Sequence, residues 1–75
     1  MKTGTQLKCN NGKTYTVIAC IGNRALLVGG WDYVVINELD MLEKTGAWGN
    51  GKYFPFFEDG NTDALMDAVD YFCGV

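Results

Sequence analysis

The 75 residues carry a net charge of −3, with 48% hydrophobic and 13% aromatic side chains, which is too apolar for a disordered chain and enough for one small core. Histidine and serine are both absent, so Ser-His and Cys-His nucleophilic pairs and imidazole zinc ligation are excluded. Apolar runs such as Ala25-Leu26-Leu27-Val28 are too short to span a membrane, and Met1-Lys2-Thr3-Gly4-Thr5-Gln6 lacks the apolar region of a signal peptide.

Turn residues divide the chain at short intervals. Asn11-Gly12 predicts a two-residue type I′ hairpin turn between strands at residues 6–10 and 13–21. In the second of these, Tyr15, Val17, Ala19 and Ile21 alternate with Thr14, Thr16, Ile18 and Cys20, the period of a strand. Gly22-Asn23 is a second turn, leading to a strand at residues 24–28. Gly29-Gly30 ends that strand and Tyr33 to Ile36 begin the next. Glu43-Lys44-Thr45-Gly46 reads as a type I turn with its glycine in the left-handed position, and the region containing Glu38 and Asp40 as strand. Gly49 and Gly51 flank Asn50 as a bulge or kink before a fifth strand at residues 53–57.

The last segment changes period. Leu65, Ala68, Val69 and Phe72 fall on one helical face, with Asp63, Asp67 and Asp70 opposite. Asn61 or Thr62 serves as the cap and Gly74 as the stop. The expected architecture is α+β, a single domain over residues 1–75. It comprises a five-stranded antiparallel meander, either PC4-like or a small barrel, with one C-terminal helix.

Tyr33-Val34-Val35-Ile36 and Tyr53-Phe54-Pro55-Phe56-Phe57 are apolar at consecutive positions, so both faces of those strands are apolar. One helix of about eleven residues, ~16 Å long, covers part of one face. The other must close into a barrel, bind a ligand or meet another subunit. Tyr53, Phe54, Phe56 and Phe57 are the expected homo-oligomer interface.

Charge is distributed unevenly. Lys2, Lys8, Lys13 and Arg24 stand in the first 31 residues with no acid, whereas nine acids oppose Lys44 and Lys52 from Asp32 onward. Asp63, Asp67 and Asp70 are therefore the expected partner-binding residues, aimed at a basic protein. The nucleic-acid alternative uses Lys8, Lys13 and Arg24, with Trp48 as a stacking ring, but six cations are few for phosphate binding. Neither a metal nor a cofactor is expected. Asp59, Asn61, Asp63, Asp67 and Asp70 match calcium-loop spacing, but Ala64 replaces the required glycine and Asp70 the terminal glutamate. Asp32, Glu38, Asp40 and Glu43 read as solvated charges instead of a magnesium site. Cys9, Cys20 and Cys73 are odd in number with no C-x-x-C spacing, which suits reduced core thiols in a cytoplasmic protein.

The residues Tyr33-Val34-Val35, then Lys44-Thr45-Gly46-Ala47-Trp48-Gly49-Asn50-Gly51-Lys52-Tyr53-Phe54 and Asp63-Ala64-Leu65, carry a resemblance. They are similar to short uncharacterised proteins of gut Firmicutes, their phages and mobile elements that share a Trp-Gly-x-Gly-x-Tyr-Phe core. Small PC4-like inhibitors of type II CRISPR nucleases resemble that group in size and architecture. The resemblance covers roughly residues 33 to 72. It implies a non-enzymatic accessory protein that binds and modulates a host protein, with anti-CRISPR inhibition of a Cas nuclease its sharpest form. The alternative is an oligomeric PC4-like nucleic-acid binder, from whose basic surface this chain departs.

Overall fold

The computed structural model describes residues 2–9, 12–30, 32–46, 51–56 and 63–74. Expectations for Trp48, Asn50, Phe57, Asp59, Asn61 and Thr62 lie outside these residues. The strands β1 (Gln6–Lys8), β2 (Thr14–Ile21), β3 (Arg24–Val28), β4 (Asp32–Ile36) and β5 (Gly51–Pro55) form one antiparallel sheet in that order, a meander. Helix α1 (Leu39–Thr45) lies between β4 and β5 in the chain, and α2 (Ala64–Cys73) follows β5. The α+β class with a C-terminal helix is thus present. Closure into a barrel would require β1 to pair with β5, and these two are the edges of the sheet.

The first hairpin joins β1 to β2, and Asn10 and Asn11 of its turn lie outside the described residues. Lys8 pairs with Thr14, Cys9 N–H donates to Lys13 C=O at 2.8 Å, and Gly12 N–H donates to Cys9 C=O at 3.0 Å. Gly12 has φ 88, in the left-handed region that favours glycine. At the second hairpin Ile21 pairs with Arg24 across Gly22-Asn23, as expected.

A register shift then overturns the expected faces of β2. Val17 pairs with Leu27 but Ala19 pairs with Leu26, so Ile18 is the extra residue of a β-bulge. Because side chains alternate, one inserted residue moves everything beyond it to the other face. Tyr15 and Val17 therefore share a face with Cys20, while Ala19 joins Leu26.

Each face has its own core. On one, Cys9, Tyr15, Val17, Ala25, Leu27, Val34 and Ile36 are buried together with Leu39 and Leu42 of α1. On the other, Leu26 and Val35 are buried with Ala68 and Phe72 of α2, and Ala19, Tyr33 and Phe54 pack alongside. The face expected to need closure or a subunit is thus taken by a helix the sequence reading missed.

That helix replaces the expected turn at residues 43–46. Its local signals are Asp40 in the first turn, Lys44 in the last, and Gly46, left-handed at φ 70, which acts as a C-cap with its N–H on Leu42 C=O. Glu38 holds the N-cap position without a side-chain cap bond. Asn23, from the β2–β3 turn, caps the helix instead. Its C=O accepts from Leu39 N–H at 2.8 Å, and its Oδ1 accepts from Asp40 N–H at 2.9 Å. Its Nδ2 donates to the Asp40 carboxylate at 2.8 Å, which holds that carboxyl below the usual carboxylate range. Asp40 is thus in a helix rather than a strand.

Cysteine usage is mixed. Cys9 is buried and Cys20 half-buried, but Cys73 is exposed and so departs from the core role expected of all three. No helix among the described residues is long and apolar enough to cross a membrane.

Candidate partner-binding face

Helix α2 packs on β3, β4 and β5. Its buried positions are Ala64, Ala68 and Phe72, each four residues from the last, where the sequence predicts Leu65, Ala68, Val69 and Phe72. Two small residues let the helix approach the sheet closely, and Phe72 fills the space beside Leu26 and Val35. Tyr71 anchors the adjoining edge. Its carbonyl accepts from Arg24 Nη2 at 2.6 Å, its hydroxyl accepts from Asn37 Nδ2 at 3.1 Å, and its ring lies 5.8 Å from Phe54. Arg24 and Lys52 both approach that ring, at 5.6 and 6.0 Å from its centroid. With Tyr71 and Phe72 together facing the sheet, Leu65 and Val69 are rolled outward and exposed.

The outward surface has two parts. At 3.6 residues per turn, Leu65, Met66, Val69 and Cys73 fall on one arc, and Asp63, Asp67 and Asp70 on the next. Met66 is 66% exposed, and Leu65 and Val69 are exposed as well. An apolar strip along a helix beside an acidic ridge suits a partner surface that is apolar and basic. The three aspartates singled out from the sequence do stand together. Of the apolar strip beside them, spacing alone places Leu65 and Val69 in the core, because the large anchor Tyr71 is not distinguishable from a solvent-facing tyrosine in the sequence.

The other candidate residues are dispersed. Phe54 and Phe56 share the α2 side of β5, Phe54 against Tyr71 and Phe56 with its ring 4.8 Å from Tyr33. Tyr53 points to the opposite face. Lys8 pairs with Thr14 and Arg24 with Ile21, seven residues apart along β2. That is ~23 Å at the rise of a strand, and Arg24 is already engaged by Tyr71. Among the described residues, no group of three His, Cys, Asp or Glu could hold a metal ion.

A polar cluster occupies the far end of the α1 face. Tyr15 donates to Asp32 Oδ1 at 2.9 Å, and the Tyr53 hydroxyl lies 3.9 Å from Cys9 Sγ, joining the end of β1 to β5. With no imidazole nearby, these groups hold the ends of the curled sheet together. Burial, and then the Cys9 contact, push the Tyr53 hydroxyl from 10.0 up to about 12. The folded chain thus binds this proton more tightly than the unfolded one. The associated stability is complete below pH 10 and lost as pH rises through 12. Tyrosinate absorbance should show a transition near pH 12 that is missing in Tyr53→Phe, and that variant should lose the matching share of alkaline unfolding. An alkaline profile unchanged in Tyr53→Phe would contradict this.

The fold and the outward face of α2 together define a small α+β protein with an acidic, apolar-edged helix as its candidate binding element. Comparison with protein-family models, curated proteins and solved structures found no match to this chain.

Proposed function

We propose that this chain is a non-enzymatic binding protein, of the phage or mobile-element accessory type, that modulates a host protein through the outward face of α2. The observation that carries this reading is the pairing of exposed Leu65, Met66 and Val69 with the ridge of Asp63, Asp67 and Asp70 on one helix. Nucleic-acid-handling proteins offer the matching surface, because their channels are lined with cations for a phosphate backbone. An acidic helix competes there with phosphates. Inhibition of a type II CRISPR nuclease is the sharpest form of the reading.

The test is a pull-down with a Cas nuclease joined to a DNA-cleavage assay. Wild type should bind and slow cleavage, and Asp67→Lys with Asp70→Lys should abolish both while leaving the circular dichroism unchanged. No binding and unaltered cleavage would sink the CRISPR version. Retention of a labelled single strand at low salt, released as salt rises, would favour the nucleic-acid alternative.

A further inference from the structure

Helix α2 carries two apolar faces and buries one of them. At about 100° per residue, Ala64, Ala68 and Phe72 define one arc, and Leu65, Ala68, Val69 and Phe72 define another about 50° further round. The first arc is the one on the sheet, while Leu65 is 44% and Val69 37% exposed. By apolar area alone the opposite is favoured, since this rotation buries a methyl group at Ala64 and leaves a leucine and a valine in water.

Tyr71 holds the helix in this rotation. It stands about 60° to one side of the buried arc, on the β5 flank against Phe54, and Leu65 and Val69 lie on the opposite flank, towards β2. Asn37 Nδ2 donates to its hydroxyl, Arg24 Nη2 donates to its carbonyl, and Arg24 and Lys52 both approach its ring. The two hydrogen bonds are exposed, so each contributes modestly. Ala68 and Phe72 belong to both arcs, and the helix can turn about them without leaving the sheet. On the β2 flank, Ala19 packs beside Leu26 and Phe72 and is only partly buried, an apolar floor for the residues that would turn inward.

We infer that α2 has two packings on the sheet, related by a roll of about 50° about Ala68 and Phe72, and that the grip on Tyr71 selects between them. With Tyr71 held, Leu65, Met66 and Val69 stand out as one strip. With Tyr71 released, Leu65 and Val69 turn onto the sheet beside Ala19 and Leu26, Ala64 turns out, and the strip is reduced to Met66. Packed elements switch between discrete arrangements of this kind and do not deform by degrees. The roll thereby controls whether the partner face is displayed, a role that rests on the reading of α2 as the binding element. The roll itself is measured without a partner.

Methyl NMR of the full chain with a soluble paramagnetic relaxation agent tests the inference. In wild type the Leu65 and Val69 methyls should relax strongly and the Ala64 methyl should not. In Tyr71→Ala that order should reverse. Arg24→Met with Asn37→Leu loosens the grip but keeps the ring, and should move the same methyls part of the way. Opposite movement at Ala64 separates a roll from fraying, which would expose all three. Leu65→Lys with Val69→Lys should leave the otherwise wild-type chain folded, since both positions are in water. The same pair should unfold the Tyr71→Ala chain, which then has no second face to bury. Additive losses of stability across that cycle overturn the inference. So does unchanged relaxation in both released variants. A Tyr71→Ala chain that unfolds by itself overturns it too, because the second packing should hold that chain together. The host-protein reading fails separately, by a wild-type pull-down that captures nothing while the methyls behave as described.

Discussion

Phe72→Ala is expected to cost about 3–5 kcal/mol, the range for truncating a buried Phe. A domain of this size holds only about 5–15 kcal/mol in total, so the variant should be close to unfolding at ambient temperature. The helix it sits on contributes only Ala64 and Ala68 besides Phe72 to its buried positions. Phe72 is therefore the one large side chain among them, and it fills the space above Leu26 and Val35. Without it, α2 has two methyl groups on the sheet and the Tyr71 edge to hold it. Met66→Ala, at a position 66% exposed, is the matched control and should stay within about 0.5 kcal/mol of wild type. Urea midpoints for the two variants check the contrast. A Phe72→Ala chain within about 1 kcal/mol of wild type would mean that α2 is held by something other than its apolar face.

The second large effect is expected at Gly29. A Cβ built there would lie 2.6 Å from Tyr15 Cε2 and 2.9 Å from Cδ2. An exposed ring would turn aside, but Tyr15 is fully buried and its hydroxyl is tied to Asp32 Oδ1 at 2.9 Å. Overpacking of this kind costs about 1–3 kcal/mol. If the ring swings away instead, the buried Asp32 carboxylate loses a donor, at about another 1–3 kcal/mol. Gly29 also donates to Asp32 C=O at 2.8 Å, so the backbone cannot easily retreat. Gly29→Ala should accordingly lower the denaturation midpoint sharply. The same change in a Tyr15→Phe background should cost less, because that ring is no longer tethered. A double-mutant cycle measures the coupling, expected above about 0.5 kcal/mol. A neutral Gly29→Ala, or strict additivity with Tyr15→Phe, would refute the tethered-ring account.

Both effects arise from contacts between segments distant in sequence, and this divides what was legible beforehand from what was not. Strand β2 announces itself by alternation, Gly22-Asn23 marks its end, and Gly74 stops α2 in the left-handed conformation at φ 76. Such signals need only a few neighbouring residues, because a positive φ or a two-residue period is a local property of the chain. Phe54 and Phe56 share a face for the same reason. The acidic ridge of α2 was legible too, since helix geometry alone gathers Asp63, Asp67 and Asp70.

Three features were decided only by the folded chain. Helix α1 has seven residues, too few to display a period, and its N-terminus is satisfied by Asn23 from a hairpin fifteen or more positions earlier. The bulge at Ile18 inverts the faces of β2 beyond it, and alternation within the strand cannot reveal an unpaired residue because the shift exists only relative to β3. The roll of α2 that exposes Leu65 and Val69 depends on Arg24, Asn37 and Phe54 gripping Tyr71. Turn chemistry and periodicity are written residue by residue along the chain. A cap supplied from elsewhere, a register and a helix rotation are settled by which distant partners meet, and those exist only once the sheet has formed.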